Sequence, residues 1–326
     1  MSYPSLPLSL LLAASLDYLI GDPKNWLHPV QVMGWIIVNY TSFVTKYIAG
    51  KWPRRLAGIL LGVSLIIGSG AIAYLIIFAA KTIHPYLGIV VETIMLASCF
   101  AGRSLNLAAQ DVIKPLEARD IATARTKLSQ YVGRDTANLT TSEILRAVLE
   151  TVGENAVDGV TAPLFYAIAG AFIPGVGSVP LAFAYKAAST LDSMIGYRRE
   201  PYTDLGWFSA QLEDYLTWLP CRLTVLTISL ISRKPRQVWR LCSRDGIKDP
   251  SPNSGWSECA YAAALNVQLG GTNFYQGVAI EKPRLGDPTE PITVDKINQA
   301  LRLNRFCFLI WLSFIDIFAA QYIFSF

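Results

Sequence analysis

Residues 146–175 read RAVLETVGENAVDGVTAPLFYAIAGAFIPG, and the fold turns on how this stretch is wound. In its first half Arg146, Glu150, Glu154 and Asp158 recur every four residues. Each such step on an α-helix turns about 40° past a full turn, so the four side chains share one face. Three carboxylates on one stripe repel one another unless a cation sits among them, either Mg²⁺ or a substrate ammonium. The alternative is a solvated face whose Arg146–Glu150 pair contributes about 0.3 kcal/mol. The second half, Val160–Ile173, is apolar and stops at Pro174-Gly175. Crossing a bilayer takes about 20 residues, so this run is expected to be re-entrant or a core helix. A full span would put Asp192 across the bilayer from Glu154, whereas a run that dips and returns leaves both on one side.

Composition supports a lipid-embedded chain. Of 326 residues 52% are hydrophobic and only 16% charged, and the mean hydropathy is +0.36. A soluble domain carries about 25% charged residues. The net charge of +4 suits the anionic inner leaflet and is too mild for nucleic acid. Cys99, Cys221, Cys242, Cys259 and Cys307 form no CxxC pair, and there are two histidines, so a zinc site is not expected. Leu6–Leu16 is apolar but no basic residue precedes it, so it reads as an uncleaved membrane segment rather than a signal peptide.

Leu56–Ala80 carries no charge and is long enough to span with tilt. Its Gly58-x-x-x-Gly62 predicts close helix packing. Ile83–Ala101 is the next span, with Glu92 at its middle, and Phe306–Phe326 is the last, with Asp316 near its centre. Arg103–Arg146 is polar and reads as a helical hairpin. Arg233, Lys234, Arg236, Arg240, Arg244 and Lys248 mark a cytoplasmic loop. The expected architecture is all-α and polytopic, with about four to seven membrane-embedded helices, some short or re-entrant. It forms one catalytic domain over 1–326, with cytoplasmic helical segments at about 103–150 and 233–305. The chain is expected in the inner membrane with its active site facing the cytoplasm.

Further chemistry-bearing residues recur at helical spacing. Tyr185, Ser189, Asp192 and Gly196 fall on one face, and Asp214, Trp218 and Arg222 on another. Lys186 is a cation in an apolar helix and is either catalytic or a snorkelling interface lysine. Ser251-Pro252-Asn253-Ser254 is a turn entering a helix, where it caps the end or receives phosphate. Asp22 and His28 flank Pro23 in an early loop.

These stretches together resemble the CbiB/CobD family of adenosylcobinamide-phosphate synthases. The resemblance rests on Asp17-Tyr-Leu-Ile-Gly21-Asp22-Pro23, His28-Pro29-Val30, Val132-Gly133-Arg134-Asp135-Thr136 and Glu150-Thr-Val-Gly-Glu154-Asn155 with Asp158-Gly159. It continues through Thr190-Leu191-Asp192-Ser193-Met194-Ile195-Gly196-Tyr197, Leu219-Pro220-Cys221-Arg222, Ser251-Pro252-Asn253 and Leu269-Gly270-Gly271. The chain departs from the family's usual residues at Ser189, Glu213, Thr217 and Asp249.

The resemblance implies a membrane enzyme of cobalamin biosynthesis. Its members join a propionate carboxylate of adenosylcobyric acid to the amine of aminopropanol or its O-phosphate, so the corrinoid is a substrate. ATP and Mg²⁺ are the expected means of activating the carboxylate, although no Gly-x4-Gly-Lys-Ser/Thr occurs here. On this reading Glu150, Glu154, Asp158, Asp192 and Lys186 are catalytic candidates, and Glu154, Asp158 and Asp192 are the metal ligands. Asp22, His28, Arg134, Asp135, Asn155, Ser193, Asp214, Arg222, Ser251 and Asn253 bind substrate. The bilayer, later membrane enzymes of the pathway and a second copy of the chain are the expected partners. Two rival readings are an intramembrane Mg²⁺-dependent prenyltransferase and an AmpE-like membrane sensor without catalysis.

Overall fold

A computed structural model describes residues 5–21 and 28–324, with side chains from 8 to 21 and from 28 to 313. Asp22 and the side chain of Asp316 lie outside the described residues. In chain order the helices are α1 (Ser5–Leu19), α2 (Pro29–Tyr47), α3 (Lys51–Ile83), α4 (Pro85–Ala97), α5 (Gly102–Glu117), α6 (Ile121–Leu128) and α7 (Thr141–Ala156). They continue as α8 (Ala162–Phe172), α9 (Ser178–Ile195), α10 (Tyr202–Leu205), α11 (Trp207–Ile231), α12 (Pro235–Arg244) and α13 (Ser254–Leu265). Strands β1 (Leu269–Tyr275) and β2 (Val278–Leu285) precede α14 (Val294–Phe324). Helix dominates as expected, but the segment 233–305 is not helical throughout, because β1 and β2 pair there as an antiparallel hairpin.

The chain divides into two compact units. The first comprises Met1–Ala101, Ala162–Thr217 and Trp311–Phe326; the second comprises Gly102–Thr161 and Trp218–Ile310. In the first unit α3 packs along α9, α4 and α10, α8 folds back on α9, and α1 lies on α4. Glycine makes two of these approaches. A Cβ added at Gly58 would fall on the carbonyl oxygen of Leu205, and one at Gly62 would stand 2.7 Å from the Phe208 ring. The small pair Gly58/Gly62 therefore does what its spacing predicts, although its neighbours are α10 and the start of α11 rather than a second long helix. Glu92, buried on α4, is held by Lys81 Nζ of α3 at 3.1 Å, which gives this carboxylate a structural partner.

Among the described residues, two helical stretches are long and apolar enough to cross a membrane, 51–83 and 85–117. The second is interrupted by a turn at Ser98–Ala101. At 1.5 Å per residue α3 is about 50 Å long. It leaves Leu56, Leu60, Ile67, Ile72 and Leu75 more than half exposed, as a lipid-facing helix does. By contrast α8 has 11 residues, about 16 Å, and a tight turn returns the chain into α9. That turn needs Gly170 and Gly177, since a Cβ on Gly170 would strike the Gly177 carbonyl. The short-helix expectation for Val160–Ile173 holds.

In the second unit α5, α6 and α7 form one helical layer, α12 packs on α13, and α13 lies against α7 and the hairpin. Residue 276 has φ +52° and Gly277 has φ +79°, the two left-handed positions of a two-residue hairpin turn. At the other end Gly270, at φ +82°, sits at a register irregularity between Leu269 and Gly271.

Candidate active site

Helix α7 begins at a capping box. The Thr140 hydroxyl accepts the Glu143 N–H at 3.4 Å, and Glu143 accepts the Thr140 N–H at 2.7 Å. This sets the phase of the stripe carrying Arg146, Glu150 and Glu154. Glu150 is only 2% exposed, so its pair with Arg146 is not a solvated surface contact. Oε1 of Glu150 accepts the Gly270 backbone N–H at 2.9 Å and lies 3.5 Å from Nη1 of Arg146. Oε2 accepts from Nη2 of Arg134. Both arginines also donate to Oδ1 of Asn273, at 2.9 and 3.0 Å. Arg146 further donates to the Gly270 and Thr272 carbonyls. Asp135 accepts the N–H groups of Gln276 and Gly277 at 3.1 and 2.7 Å. Arg134, Asp135 and Glu150, read from the sequence as site residues, are thus brought together as the fastening of the β-hairpin.

One turn further along, Glu154 is in a different situation. Glu154 is exposed to solvent; the crowding of protein around it is nevertheless the first influence on its carboxyl and raises its pKa. Lys282 opposes the rise, Asp249 and Glu150 add to it, and Arg134 opposes it. Across from it on α13 is Glu258, 2% exposed. Burial pushes Glu258 well above the usual carboxylate range; Lys282 opposes, while Glu150, Glu154 and Asp249 push the same way. Burial pulls the Lys282 ammonium down, but Glu258, Glu154 and Glu150 outweigh it and hold its pKa above the ordinary value. Helices α7 and α13 come close here because position 153 is glycine. A Cβ there would stand 3.2 Å from Cα and 3.4 Å from Cγ of Glu258, and Ser257 donates to the Gly153 carbonyl at 2.5 Å.

The stripe ends sooner than its spacing implies. A π turn over Val157–Thr161 follows α7, so Asp158 lies beyond the α-helical register that would align it with Glu154. Pro163 has no N–H to give the carbonyl one turn back, and the wider turn accommodates it. Thr161 Oγ1 reaches five residues back to the Ala156 carbonyl at 3.2 Å. Asn155 is exposed and donates to the Thr151 carbonyl at 2.9 Å.

Arg222 and Asn253 also meet. Nη1 of Arg222 donates to Oδ1 of Asn253 at 2.7 Å. The guanidinium lies between the rings of Trp218 and Trp256, 5.2 and 4.7 Å from their centroids, and Trp239 meets Trp256 edge-on at 5.5 Å. The Asn253 side chain is therefore not the cap of α13. Ser251 Oγ does that work, accepting the Asn253 and Ser254 N–H groups at 3.4 and 3.2 Å.

The remaining candidates belong to the first unit. Asp192 and Ser193 end α9, with Ser193 Oγ donating to the Thr190 carbonyl at 3.0 Å. Lys186 is half-buried on the same helix and Asp214 half-buried on α11. His28 caps α2, its Nδ1 accepting the Val30 N–H at 3.2 Å. Beside Asp192 and Asp214 stands the buried Glu213, whose Oε1 accepts from Thr217; the Thr217 hydroxyl lies 2.9 Å from that of Tyr185. The three expected metal ligands therefore divide, Glu154 and Asp158 in the second unit and Asp192 in the first. Among the described residues no group of three or more His, Cys, Asp or Glu side chains is arranged to hold a metal ion.

Sequence reasoning missed Glu258 and Lys282. The signal for Glu258 was a lone carboxylate in the otherwise apolar SGWSECAYAAAL of α13. Lys282 had no such signal, since its strand was not expected.

Compared with known proteins, the chain matches the family described as CobD/Cbib protein over residues 10–304. It is 58% identical to the cobalamin biosynthesis protein CobD of Synechocystis sp., over 91% of this chain and 87% of that one. It is 41% identical to CobD of Halalkalibacterium halodurans, over 91% and 92%. It is 42% identical to the cobalamin biosynthesis protein CbiB of Salmonella typhimurium, over 88% and 89%. No solved structure matches it. With a family match across nearly its whole length and relatives this similar, the chain belongs to the CobD/CbiB family.

Proposed function

We propose that the chain is a membrane-embedded enzyme of cobalamin biosynthesis. It forms the amide between the propionate carboxylate of adenosylcobyric acid and aminopropanol or its O-phosphate. Two supports carry this reading: the family, whose relatives are named for cobalamin biosynthesis, and the group of ionisable side chains left over by the second unit's fold. Glu150, Arg134 and Arg146 hold the hairpin. Glu154, Glu258 and Lys282 close no hydrogen bond or ion pair among the described residues, although each feels the others' charge. Of the three only Glu258 is buried, Lys282 being half-buried and Glu154 exposed, and ionisable groups that the fold does not use as bonding partners are the ones expected to meet a ligand.

Condensing a carboxylate with an amine is uphill in water, so the carboxylate needs activation, for which ATP is proposed. The described residues make no cation cage. Mg²⁺ is therefore assigned to the nucleotide, whose phosphates supply most of its ligands, and no step here depends on a protein-held metal. The guanidinium of Arg222, lying over two indole rings, offers a charged and aromatic surface to phosphate or to the corrin's amide-bearing edge.

The test is reconstitution. The full chain, purified in detergent with its fold verified, receives adenosylcobyric acid, ATP, Mg²⁺ and either aminopropanol or its O-phosphate, and mass spectrometry looks for the amide. Product with either amine is expected; a folded protein that forms none with both overturns the reading.

A further inference from the structure

Six basic residues lie between positions 233 and 248, namely Arg233, Lys234, Arg236, Arg240, Arg244 and Lys248, against one acidic residue, Asp245. The fold uses three of them. Lys234 turns inward, donating to the Ala264 carbonyl and to Oδ1 of Asn266 at 2.9 and 2.8 Å. Arg244 and Lys248 pair with Asp245 at 2.6 and 3.0 Å. Arg233, Arg236 and Arg240 are exposed and make no ion pair or side-chain hydrogen bond among the described residues. Arg236 and Arg240 stand one turn apart on the outer face of α12, whose inner face buries Val238, Leu241 and Cys242. This surface is not only polar. Trp239 lies beside the two arginines and is 45% exposed, while Leu226 and Leu230, one turn apart on α11, are 44% and 60% exposed. The Trp239 ring is fixed at the surface by its edge-on contact with Trp256. The Arg233 N–H donates to the Leu230 carbonyl at 3.0 Å, so the leucines give way to the arginines within one turn. A basic loop that meets only water gains nothing from presenting those three apolar side chains.

We propose that the outer face of α12, together with the end of α11, rests on an anionic lipid leaflet. Arg233, Arg236 and Arg240 meet headgroup phosphates, Trp239 lies at headgroup depth, and Leu226 and Leu230 reach the acyl boundary. The inference goes beyond the proposed function and does not depend on it. Charge complementarity names the occupant. A guanidinium pairs with phosphate oxygens through two parallel N–H donors. Each basic side chain held near a negatively charged leaflet adds to the attraction. An indole, apolar over its body and polar at its N–H, is suited to the headgroup zone. A soluble polyanion would satisfy the arginines and leave Leu226 and Leu230 in water. An apolar protein surface would cover the leucines and strand three charges without partners. An anionic bilayer surface offers phosphate and hydrocarbon side by side, which is the pairing this face presents in reverse.

The experiment places a nitroxide spin label on the outer face of α12 through Ser243→Cys. Ser243 is exposed, and the five native cysteines are all buried, so the label reports on position 243. The full chain is reconstituted in nanodiscs of phosphatidylcholine with and without phosphatidylglycerol. Relaxation of the label by oxygen and by a water-soluble nickel chelate gives its depth. With phosphatidylglycerol the label is expected to be shielded from the chelate. In phosphatidylcholine alone, or in molar salt where the screening length falls to about 3 Å, it is expected to be accessible. Arg236→Gln combined with Arg240→Gln removes two exposed charges and touches no buried contact. It is expected to lower the ratio of docked to undocked face about twentyfold, at about fivefold per charge, with thermal unfolding in detergent unchanged. A label equally open to the chelate in both lipids overturns the proposal. Equal shielding in both lipids that survives the two glutamine substitutions also overturns it, because the cover is then not recruited by charge. Heparin added to the phosphatidylcholine discs that shields the label as fully as phosphatidylglycerol does would assign the face to a soluble polyanion and overturn the lipid surface.

Discussion

The backbone N–H of Gly270 donates to Oε1 of Glu150 across 2.9 Å, joining two residues 120 positions apart in the chain. The same carboxylate faces Arg134 and Arg146, and both Glu150 and Arg134 are at least nine-tenths buried. Removing one partner of a buried pair leaves the other charge uncompensated. Glu150→Ala is therefore expected to destabilise the second unit by about 3–5 kcal/mol. Limited proteolysis should show cleavage near Gln276-Gly277 before the rest of the chain is cut. A variant as stable as the wild type would mean that the hairpin is held by other means.

The two glycines Gly58 and Gly68 lie on the same helix, and their substitutions should differ sharply. Alanine at Gly58 drives a methyl into the Leu205 carbonyl, whereas nothing stands within 4 Å of a Cβ at Gly68. Gly58→Ala is expected to cost about 2–4 kcal/mol. Gly68→Ala should be neutral, or stabilise by up to about 1 kcal/mol through helix propensity. Thermal unfolding of both variants in one detergent checks the contrast.

Glu258 makes stability depend on pH. Burial first, with Glu150, Glu154 and Asp249 behind it, raises its folded pKa above the ordinary 4.5, Lys282 opposing. Folding therefore takes up a proton at this site. Its contribution is fully present below the unfolded pKa and is lost as pH climbs from there through the folded value. The slope approaches about 1.4 kcal/mol per pH unit at most. Glu258→Gln should flatten this decline, so the melting temperatures of wild type and variant converge at acid pH and separate in the variant's favour as pH rises. Parallel curves would show that Glu258 does not titrate with folding.

Arg222→Lys keeps the charge but loses the planar surface that lies over Trp218 and Trp256 and the guanidinium N–H that donates to Asn253 Oδ1. An ammonium does not replace a planar guanidinium that lies over aromatic rings and donates a directed hydrogen bond. The change should cost about 1–2 kcal/mol of local stability and shift the tryptophan emission, with amide formation reduced. Unchanged emission would mean that the stack does not persist in solution.

What could be read from the chain depended on whether one helix carried it. The α7 stripe was visible because Arg146, Glu150 and Glu154 keep a single period, and the Gly58/Gly62 spacing announced its close contacts in the same way. The brevity of α8 followed from counting apolar residues up to Pro174. The end of the stripe was not visible, since the π turn ahead of Pro163 changes the rotation per residue without changing the four-residue spacing of the carboxylates. The hairpin was hidden for a related reason. Gly270, Gly271 and Pro283 interrupt the alternation that marks a strand, and Gln276-Gly277 is a weaker turn signal than Asn-Gly. With the hairpin went Lys282, and with Lys282 the reason to look at Glu258. The opposite roles of Glu150 and Glu154, one occupied by arginines and one not, were beyond any reading of spacing, because they depend on what the hairpin brings to α7.

Because Asp135 grips the hairpin at its turn and Glu150 at its base, Lys282 rides on a strand pinned at two points. Its backbone cannot swing in and out like a hinged cover. The disorder lost in setting that lysine opposite the carboxylates is lost when the chain folds, so an arriving molecule meets an electrostatic landscape already in place rather than one it must assemble.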